Sequence, residues 1–269
     1  MRARATALAP KLGPRSRFSH VTAAALLGLR MPENRIDLRL HVTKQADRGA
    51  RRKGVVGHKS RTAARTVLVD GIRCSDPIEA WCECAELLGV DDLVVLGDGL
   101  VRRKDPLATM DELRAAAARR AGARGVRRLR TALDLIRPGT DSARETLLRL
   151  VVVRAGFPEP LINHRLTDDD GLEIGHGDLV WPEERIVLEY EGRQHAEDAR
   201  QFALDIRRID RITEHYRHIR VDKVLLSEPD ELLAKLRRAF RAARSRTAFS
   251  DSSPTRAVEG TLFGAGRPG

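Results

Sequence analysis

Asp178, Glu189 and Glu191 are the residues whose types and spacing point most directly to chemistry. They stand in the run from Gly177 to Gly192, where two apolar stretches flank Pro182-Glu183-Glu184-Arg185. That pattern predicts two antiparallel strands joined by a two-residue loop at Glu183 and Glu184. With that loop Pro182 faces Arg185, and counting outward sets Asp178 opposite Glu189. Side chains repeat every second residue along a strand, so Glu191 points the same way as Glu189. Like charges directly opposite one another destabilise a sheet. Their presence makes sense around a divalent cation, because hard cations such as Mg²⁺ take oxygen ligands, and acids that hold such a metal serve phosphodiester hydrolysis. The same acids also fit the solvated outer face of a surface hairpin. Two details weigh against that plainer reading. Ile186 to Leu188 is apolar throughout and runs straight into Glu189-Tyr190-Glu191, so acids appear where the strand should be central. Gly192 then supplies a flexible joint, and Arg193, Gln194 and His195 supply polar groups able to contact phosphate or water.

The elements that must position these acids are readable on either side. Arg137-Pro138-Gly139-Thr140 is the clearest break in the chain and sets a domain boundary between residues 1–137 and 141–244. Beyond it the sequence predicts a helix from Ser142 to Ala155, a strand near Leu161 to Leu166, the hairpin, a helix from Glu197 to Tyr216, a strand at His218 to Val221 and a closing helix from Pro229 to Arg244. From Ser245 the chain is rich in Ser, Thr, Pro and Gly and is expected to be a disordered tail, 245–269. Ser142-x-x-Glu145 has the form of a capping box, which stabilises a helix start without chemistry, and both roles can coexist in Glu145. Asp205 and Arg208 lie three apart on a helix, the spacing of a structural salt bridge.

This alternation, with its acids, resembles the PD-(D/E)xK nuclease superfamily, and more closely the branch related to very-short-patch-repair endonucleases, the family named domain of unknown function 559. The resemblance runs from about Asp141 to Val224. It is carried by Ser142-Ala143-Arg144-Glu145, by Asp178-Leu179-Val180-Trp181-Pro182, by Glu189-Tyr190-Glu191-Gly192-Arg193-Gln194-His195, by Asp205 with Arg208, and by the strand holding Arg220. It implies an αβββαβ core like that of restriction endonucleases. It implies a Mg²⁺- or Mn²⁺-dependent endonuclease that hydrolyses DNA, in repair or phage defence. Asp178 matches the first metal-binding acid, Glu189 the acid of the (D/E)xK element, and Glu145 the acid of the first helix. Glu191 occupies the Lys position, where the branch commonly has the Asp of a Glu-x-Asp-Gly variant; Glu is one methylene longer. Metal ligands are thus expected at Asp178, Glu189 and Glu191. Arg193, Gln194 or His195 is left to steady the attacking hydroxide and the phosphate. His195 reads equally as a general acid or base and as a helix-entry residue. The alternative function is a catalytically inactive nucleic-acid-binding or antitoxin-like regulator on a nuclease scaffold.

The first half carries the charge. Formal net charge is +11 over 269 residues, and residues 1–65 hold 16 Lys and Arg against three acids, Glu33, Asp37 and Asp47. Such an excess is an electrostatic footprint for DNA, and it also follows from the Arg-rich, Lys-poor usage of a high-GC bacterium. Expected elements here are a helix at Val21 to Leu29 capped by Ser19, a strand at Ile36 to Val42, a basic loop or hairpin at Asp47 to Lys59, a strand at Thr66 to Val69, and helices at Pro77–Leu88, Asp91–Asp98, Met110–Ala121 and Gly125–Ile136. Phe18-Ser19-His20-Val21-Thr22-Ala23-Ala24 and Ser75-Asp76-Pro77 resemble the C-terminal part of AbiEi-type antitoxin proteins of actinobacteria. That likeness implies a partner in a toxin–antitoxin or defence system, and a preceding winged helix-turn-helix that this sequence is expected to lack. The fold class is therefore α/β of the α+β kind, a mixed N-terminal region followed by the nuclease-like core. Cys74, Cys82 and Cys84 cannot all pair and have no fourth ligand at zinc spacing, so they are expected to be reduced core thiols of a cytoplasmic protein. No apolar run is long enough to cross a bilayer, and Met1 to Pro14 is basic without the apolar core of a signal peptide.

Overall fold

The computed structural model describes residues 1–31, 39–46, 52–60, 63–191 and 199–251, with side chains of 199–205 and 247–251 left aside. Its elements in chain order are α1 (Arg2–Leu8), β1 (Ser16–Phe18), α2 (His20–Leu26), β2 (Leu40–Gln45), β3 (Val55–Ser60), β4 (Thr66–Val69), β5 (Ile72–Ser75), α3 (Pro77–Cys84), α4 (Val90–Leu100), α5 (Met110–Arg119), α6 (Val126–Leu135), α7 (Ala143–Arg154), β6 (Leu161–Thr167), β7 (Glu173–Trp181), β8 (Ile186–Tyr190), α8 (Ala199–His215), β9 (Arg217–Val221), α9 (Lys223–Ser227) and α10 (Pro229–Asp251). Two mixed sheets result, in the orders β3-β2-β1-β5-β4 and β6-β7-β8-β9. The fold is α+β, and the second half runs α-β-β-β-α-β as expected.

Helix starts follow local chemistry. Asp76 Oδ1 accepts from Glu79 N at 2.7 Å just before Pro77, which is tolerated in a first turn. Thr109 and Glu112 form a reciprocal capping box. Gly125 precedes α6 at φ +82°, and a Cβ there would lie 2.3 Å from Ala85 O, so no other residue fits without moving that backbone. The first sheet packs on α1 and α2 through Phe18, Leu26, Leu40 and Val42, and α3 to α6 build a helical core around Trp81 and Leu93. Leu148 and Val152 of α7 face the second sheet with Leu179, Leu188 and Val221, while Leu150 of the same helix joins the helical core. A helix apolar on both sides must be buried between two bodies, and α7 is.

Several expectations change. The basic stretch after Asp47 is no hairpin with its neighbour: β3 pairs in parallel with β2, Leu40 opposite Val55 through Gln45 opposite Ser60. A parallel partner needs a long connection, which local turn signals do not announce. The strand expected at Ile36 to Val42 is described from Leu40 onward, and its first part lies outside the described residues. Strands β1 and β5 and helix α9 were not anticipated, each being three to five residues long and too short to show a period. Helix α10 continues past Ser245 to Asp251, because Ala-Ala-Arg-Ser-Arg-Thr-Ala favours helix more than its Ser and Thr content suggests; residues 252–269 lie outside the description. Ser19 precedes α2 without a side-chain capping bond. The three cysteines are free and buried, and burial pushes the Cys74 and Cys82 thiols up to about 11 and 12. Among the described residues no helix is long and apolar enough to cross a membrane.

The break at Arg137 to Thr140 separates the two sheets, yet a buried polar network crosses it. Arg149 on α7 is 1% exposed and donates to Asp98 Oδ2 on α4 at 3.0 Å; Asp98 is fully buried. Thr146 Oγ1 donates to the same oxygen at 2.9 Å, and the Arg137 N–H to Oδ1 at 2.8 Å. Arg149 also donates to Leu135 O at 2.8 Å. Arg30 closes over the break by donating to Thr140 Oγ1 and O. Burial alone pushes the Asp98 carboxyl above its ordinary range, opposed by the charge of Arg149. Removing one partner of a buried pair strands the other's charge, which costs about 3–5 kcal/mol. Asp98→Ala is therefore expected to lower stability by about that amount in urea unfolding. A loss below about 1 kcal/mol would show that the pair does not hold the two halves together.

Candidate active site on the second sheet

The hairpin has the register its turn dictates. Leu179, Val180 and Trp181 oppose Leu188, Val187 and Ile186, and Arg185 N donates to Pro182 O at 3.2 Å. The next pair outward is Asp178 and Glu189. Asp178 Oδ2 accepts from Tyr190 N at 2.8 Å. Gly177, beside Asp178, lets β8 approach closely, since a Cβ there would lie 2.2 Å from Val187 Cγ2. Val180 and Val187 pack with Ile212 and Tyr216, so this face of the sheet, with both acids at its end, is the one α8 covers.

Burial is the largest force on Asp178. It pushes the carboxyl up to about 7, with the charges of Glu145 and Glu189 adding to the rise and the Tyr190 N–H bond and Arg208 opposing it. Glu145 is itself buried near the start of α7. Its N–H donates to Ser142 Oγ at 3.1 Å, while its Oε2 accepts from Asp141 N at 2.8 Å and from Asn163 Nδ2 at 3.1 Å. The capping reading of Ser142 and Glu145 thus holds in one direction, with the return bond made one residue earlier, and the same carboxylate bears on Asp178.

Glu189 is compensated. Arg208 from α8 donates to Oε1 at 3.0 Å and to Oε2 at 3.2 Å, and His218 Nε2 from β9 lies 2.9 Å from Oε2. Burial works to raise this carboxyl, but the His218 hydrogen bond and the Arg208 charge outweigh it and hold it below its usual range. Glu191, just past the end of β8, is exposed and ion-paired to Arg220 of β9. Its N–H donates to Val221 O at 2.8 Å, continuing the ladder. Among the described residues the oxygens of Asp178, Glu189 and Glu191 do not converge within 4.8 Å of one another. Nor do those of Asp178, Glu189 and Glu145; Asp178 feels the charges of Glu145 and Glu189, while Glu191 is turned toward Arg220. Gln194 and His195 lie outside the described residues, as does the side chain of Asp205. Arg208 donates to Glu189, a strand partner that helix spacing does not reveal.

His218, Asn163 and the Arg208–Glu189 contact are the participants that sequence reasoning missed. Asn163 sits at φ +46° in mid-strand, a conformation Asn tolerates better than most residues, and Asn within an otherwise strand-like run was the available signal. His218 falls two residues before Arg220 and so shares its face.

The donor set suits a hard dication. Asp178 and Glu189 offer carboxylate oxygens beside a third acid, and positive charge placed among them would reverse the force that keeps Asp178 protonated. In the arrangement seen, Arg208 supplies positive charge to Glu189 and His218 a hydrogen-bond contact.

The chain is 30% identical over 184 residues to "Uncharacterized protein MT2308" of Mycobacterium tuberculosis (strain CDC 1551 / Oshkosh) and, to the same extent, to "Uncharacterized protein Rv2248" of Mycobacterium tuberculosis (strain ATCC 25618 / H37Rv). The matched stretch is 63% of this chain and 60% of each relative, so the chain spans about three-fifths of the length of the curated relatives it matches. No family model and no solved structure matches.

A testable consequence follows from Asp178. Its carboxyl stays protonated in the folded protein up to about pH 7, whereas an unfolded Asp ionises near pH 4. Between those limits the folded state binds more protons, so this group makes stability fall as pH rises from about 4 to 7 and adds no further loss above. Asp178→Asn is expected to be as stable as the parent at pH 4 and more stable at pH 8, by at most about 4 kcal/mol. Urea unfolding at the two pH values measures it, and equal differences at both would show that Asp178 ionises normally.

Proposed function

We propose that the chain is a divalent-metal-dependent endonuclease acting on DNA, with Asp178 and Glu189 holding Mg²⁺ or Mn²⁺ and Glu191 available as a further ligand or base. The observation that carries this reading is Asp178, a half-buried carboxyl one step past the Leu179–Leu188 pair, raised by burial and by the charges of Glu145 and Glu189. Acids gathered at a buried sheet end have no packing purpose, since each raises the cost of ionising the next. When bound, the metal would activate water and stabilise charge on the phosphate. The chain's own residues do the rest. Arg208 and His218 keep Glu189 ionised, Glu145 through Asn163 fixes the first turn of α7 against β6, and the Tyr190 N–H aims Asp178. The basic surface of the first half supports DNA as the substrate and predicts salt-sensitive binding. A protein partner from a toxin–antitoxin or defence system is part of the same proposal.

The second reading, a DNA-binding protein on an inactive nuclease scaffold, is favoured by Arg208 filling both oxygens of Glu189 and by Glu191 being paired with Arg220 where the superfamily has a Lys. Plasmid nicking with Mg²⁺ or Mn²⁺, run beside calorimetric metal titration, separates the two. On the first reading Asp178→Ala and Glu189→Ala lose metal binding and at least about 100-fold in nicking rate. Nicking by Asp178→Ala at the parent rate would overturn it, and salt-sensitive DNA binding with neither metal uptake nor nicking would establish the second.

A further inference from the structure

Three histidines meet in the first half, far along the chain from the acids. His20 opens α2, His41 lies on β2 and His58 on β3, and one ring nitrogen of each lies within 4.8 Å of the others. His41 Nδ1 and His58 Nε2 are 3.0 Å apart. The His20 ring stacks on His58 with centroids 3.7 Å apart.

Two buried polar atoms on this cluster are left over. His20 is 2% exposed, and its Nε2 has no hydrogen-bond partner among the described residues. Its Nδ1 lies 2.9 Å from Ser19 Oγ, and when that hydroxyl accepts from Nδ1 the lone pair stands on Nε2. Thr43 Oγ1 is likewise buried without a partner; Thr43 pairs with His58 across the strands and shares the face of His41. An unpaired buried polar group costs about 1–3 kcal/mol, so two of them beside a histidine trio require a reason.

The surroundings hold these rings in place. The His41 N–H donates to Thr22 Oγ1 at 2.8 Å, and the Ser19 N–H to His41 O at 3.0 Å. The His20 N–H donates to Glu83 Oε2, which also takes Ser75 Oγ at 2.8 Å, while Arg17 holds the other oxygen. His20 is kept at φ +52°, a conformation that costs a non-glycine residue of order 1 kcal/mol and survives only where its neighbours impose it.

We propose that His20, His41 and His58 form a binding site for a transition-metal dication, zinc foremost, with His20 Nε2, His41 Nδ1 and His58 Nε2 as ligands and a fourth position for water. Imidazole nitrogens select zinc and its neighbours over Mg²⁺. Zinc–nitrogen bonds of about 2.0–2.1 Å in a tetrahedron set ligand nitrogens about 3.3 Å apart, close to the 3.0 Å between His41 and His58. The ion would replace the single proton shared by those two rings; that proton moves to the far nitrogen of its own ring, so both ligand atoms present lone pairs. Ser19 then orients His20 from behind, as outer hydrogen bonds do for metal-held histidine. His58, partly exposed on the edge strand of the first sheet, gives the way in.

The full chain, stripped with a chelator, would be titrated with Zn²⁺ by calorimetry and with Co²⁺ by visible absorption. One equivalent of zinc, a tetrahedral cobalt spectrum and a raised melting temperature are expected. His58→Gln, at the edge, and His41→Gln should each weaken binding by about 100-fold or more, and Ser19→Ala by about 10-fold. Circular dichroism without metal checks that the variants fold. Asp178→Ala should bind zinc here like the parent, which keeps this site separate from the hairpin acids. Absence of zinc uptake, or uptake unchanged in both folded histidine variants, would overturn the proposal.

Discussion

The contact between Arg149 and Asp98 is the constraint on which the rest of the molecule depends. It places a charge from the second half inside the helical core of the first, joined by Thr146, the Arg137 N–H, the Leu135 carbonyl and, at 3.2 Å from Arg149, Glu159. Apolar packing is tolerant of small slides between helices, but a guanidinium with fixed donor directions is not. The network therefore sets the rotation of α7 about its own axis. That rotation decides where Glu145, one turn before Arg149 on the same helix, stands relative to the second sheet. A polar contact in the interior fixes the position of an acid at the candidate site.

The same logic of compensation runs through the site. Each carboxylate brought there has a partner of its own: Glu145 takes N–H donors, Glu189 takes Arg208 and His218, Glu191 takes Arg220, and Asp178 has only the Tyr190 N–H. Asp178 has no ion pair among the described residues, and burial, with the charges of Glu145 and Glu189, raises its proton affinity. Glu189 and Glu191 are ion-paired locally, which lowers the cost of placing acids along this end of the sheet.

How much of this was legible in the sequence differs by kind of interaction. The hairpin register was, because a two-residue turn and period-two alternation fix it locally, and so was the order of elements after Ser142. The cap at Ser142 was legible, being a contact across one helical turn. Arg208 on Glu189 and Arg220 on Glu191 were not, since they join elements separated by a crossover and nothing local encodes which strand a helix will cover. The His20, His41 and His58 meeting was invisible for a related reason: β3 joins β2 in parallel, and a basic stretch with two glycines looks like loop. Helix α10 outran its expected end because composition was weighed above helix propensity.

The parallel pairing of β8 with β9 has a consequence for how the second half folds. The β7–β8 hairpin needs only its own turn and can form early, whereas β9 can join β8 only after the whole of α8 has been laid across the sheet. Asp178 and Glu189 therefore meet before Arg208 and His218 arrive to neutralise them. The early hairpin carries the repulsion between the two acids without the Arg208 charge that later meets Glu189, and protonation relieves it. The burial that raises Asp178 most comes only once the sheet is covered, so the rate of folding and the depth of the folded well respond to pH on different scales.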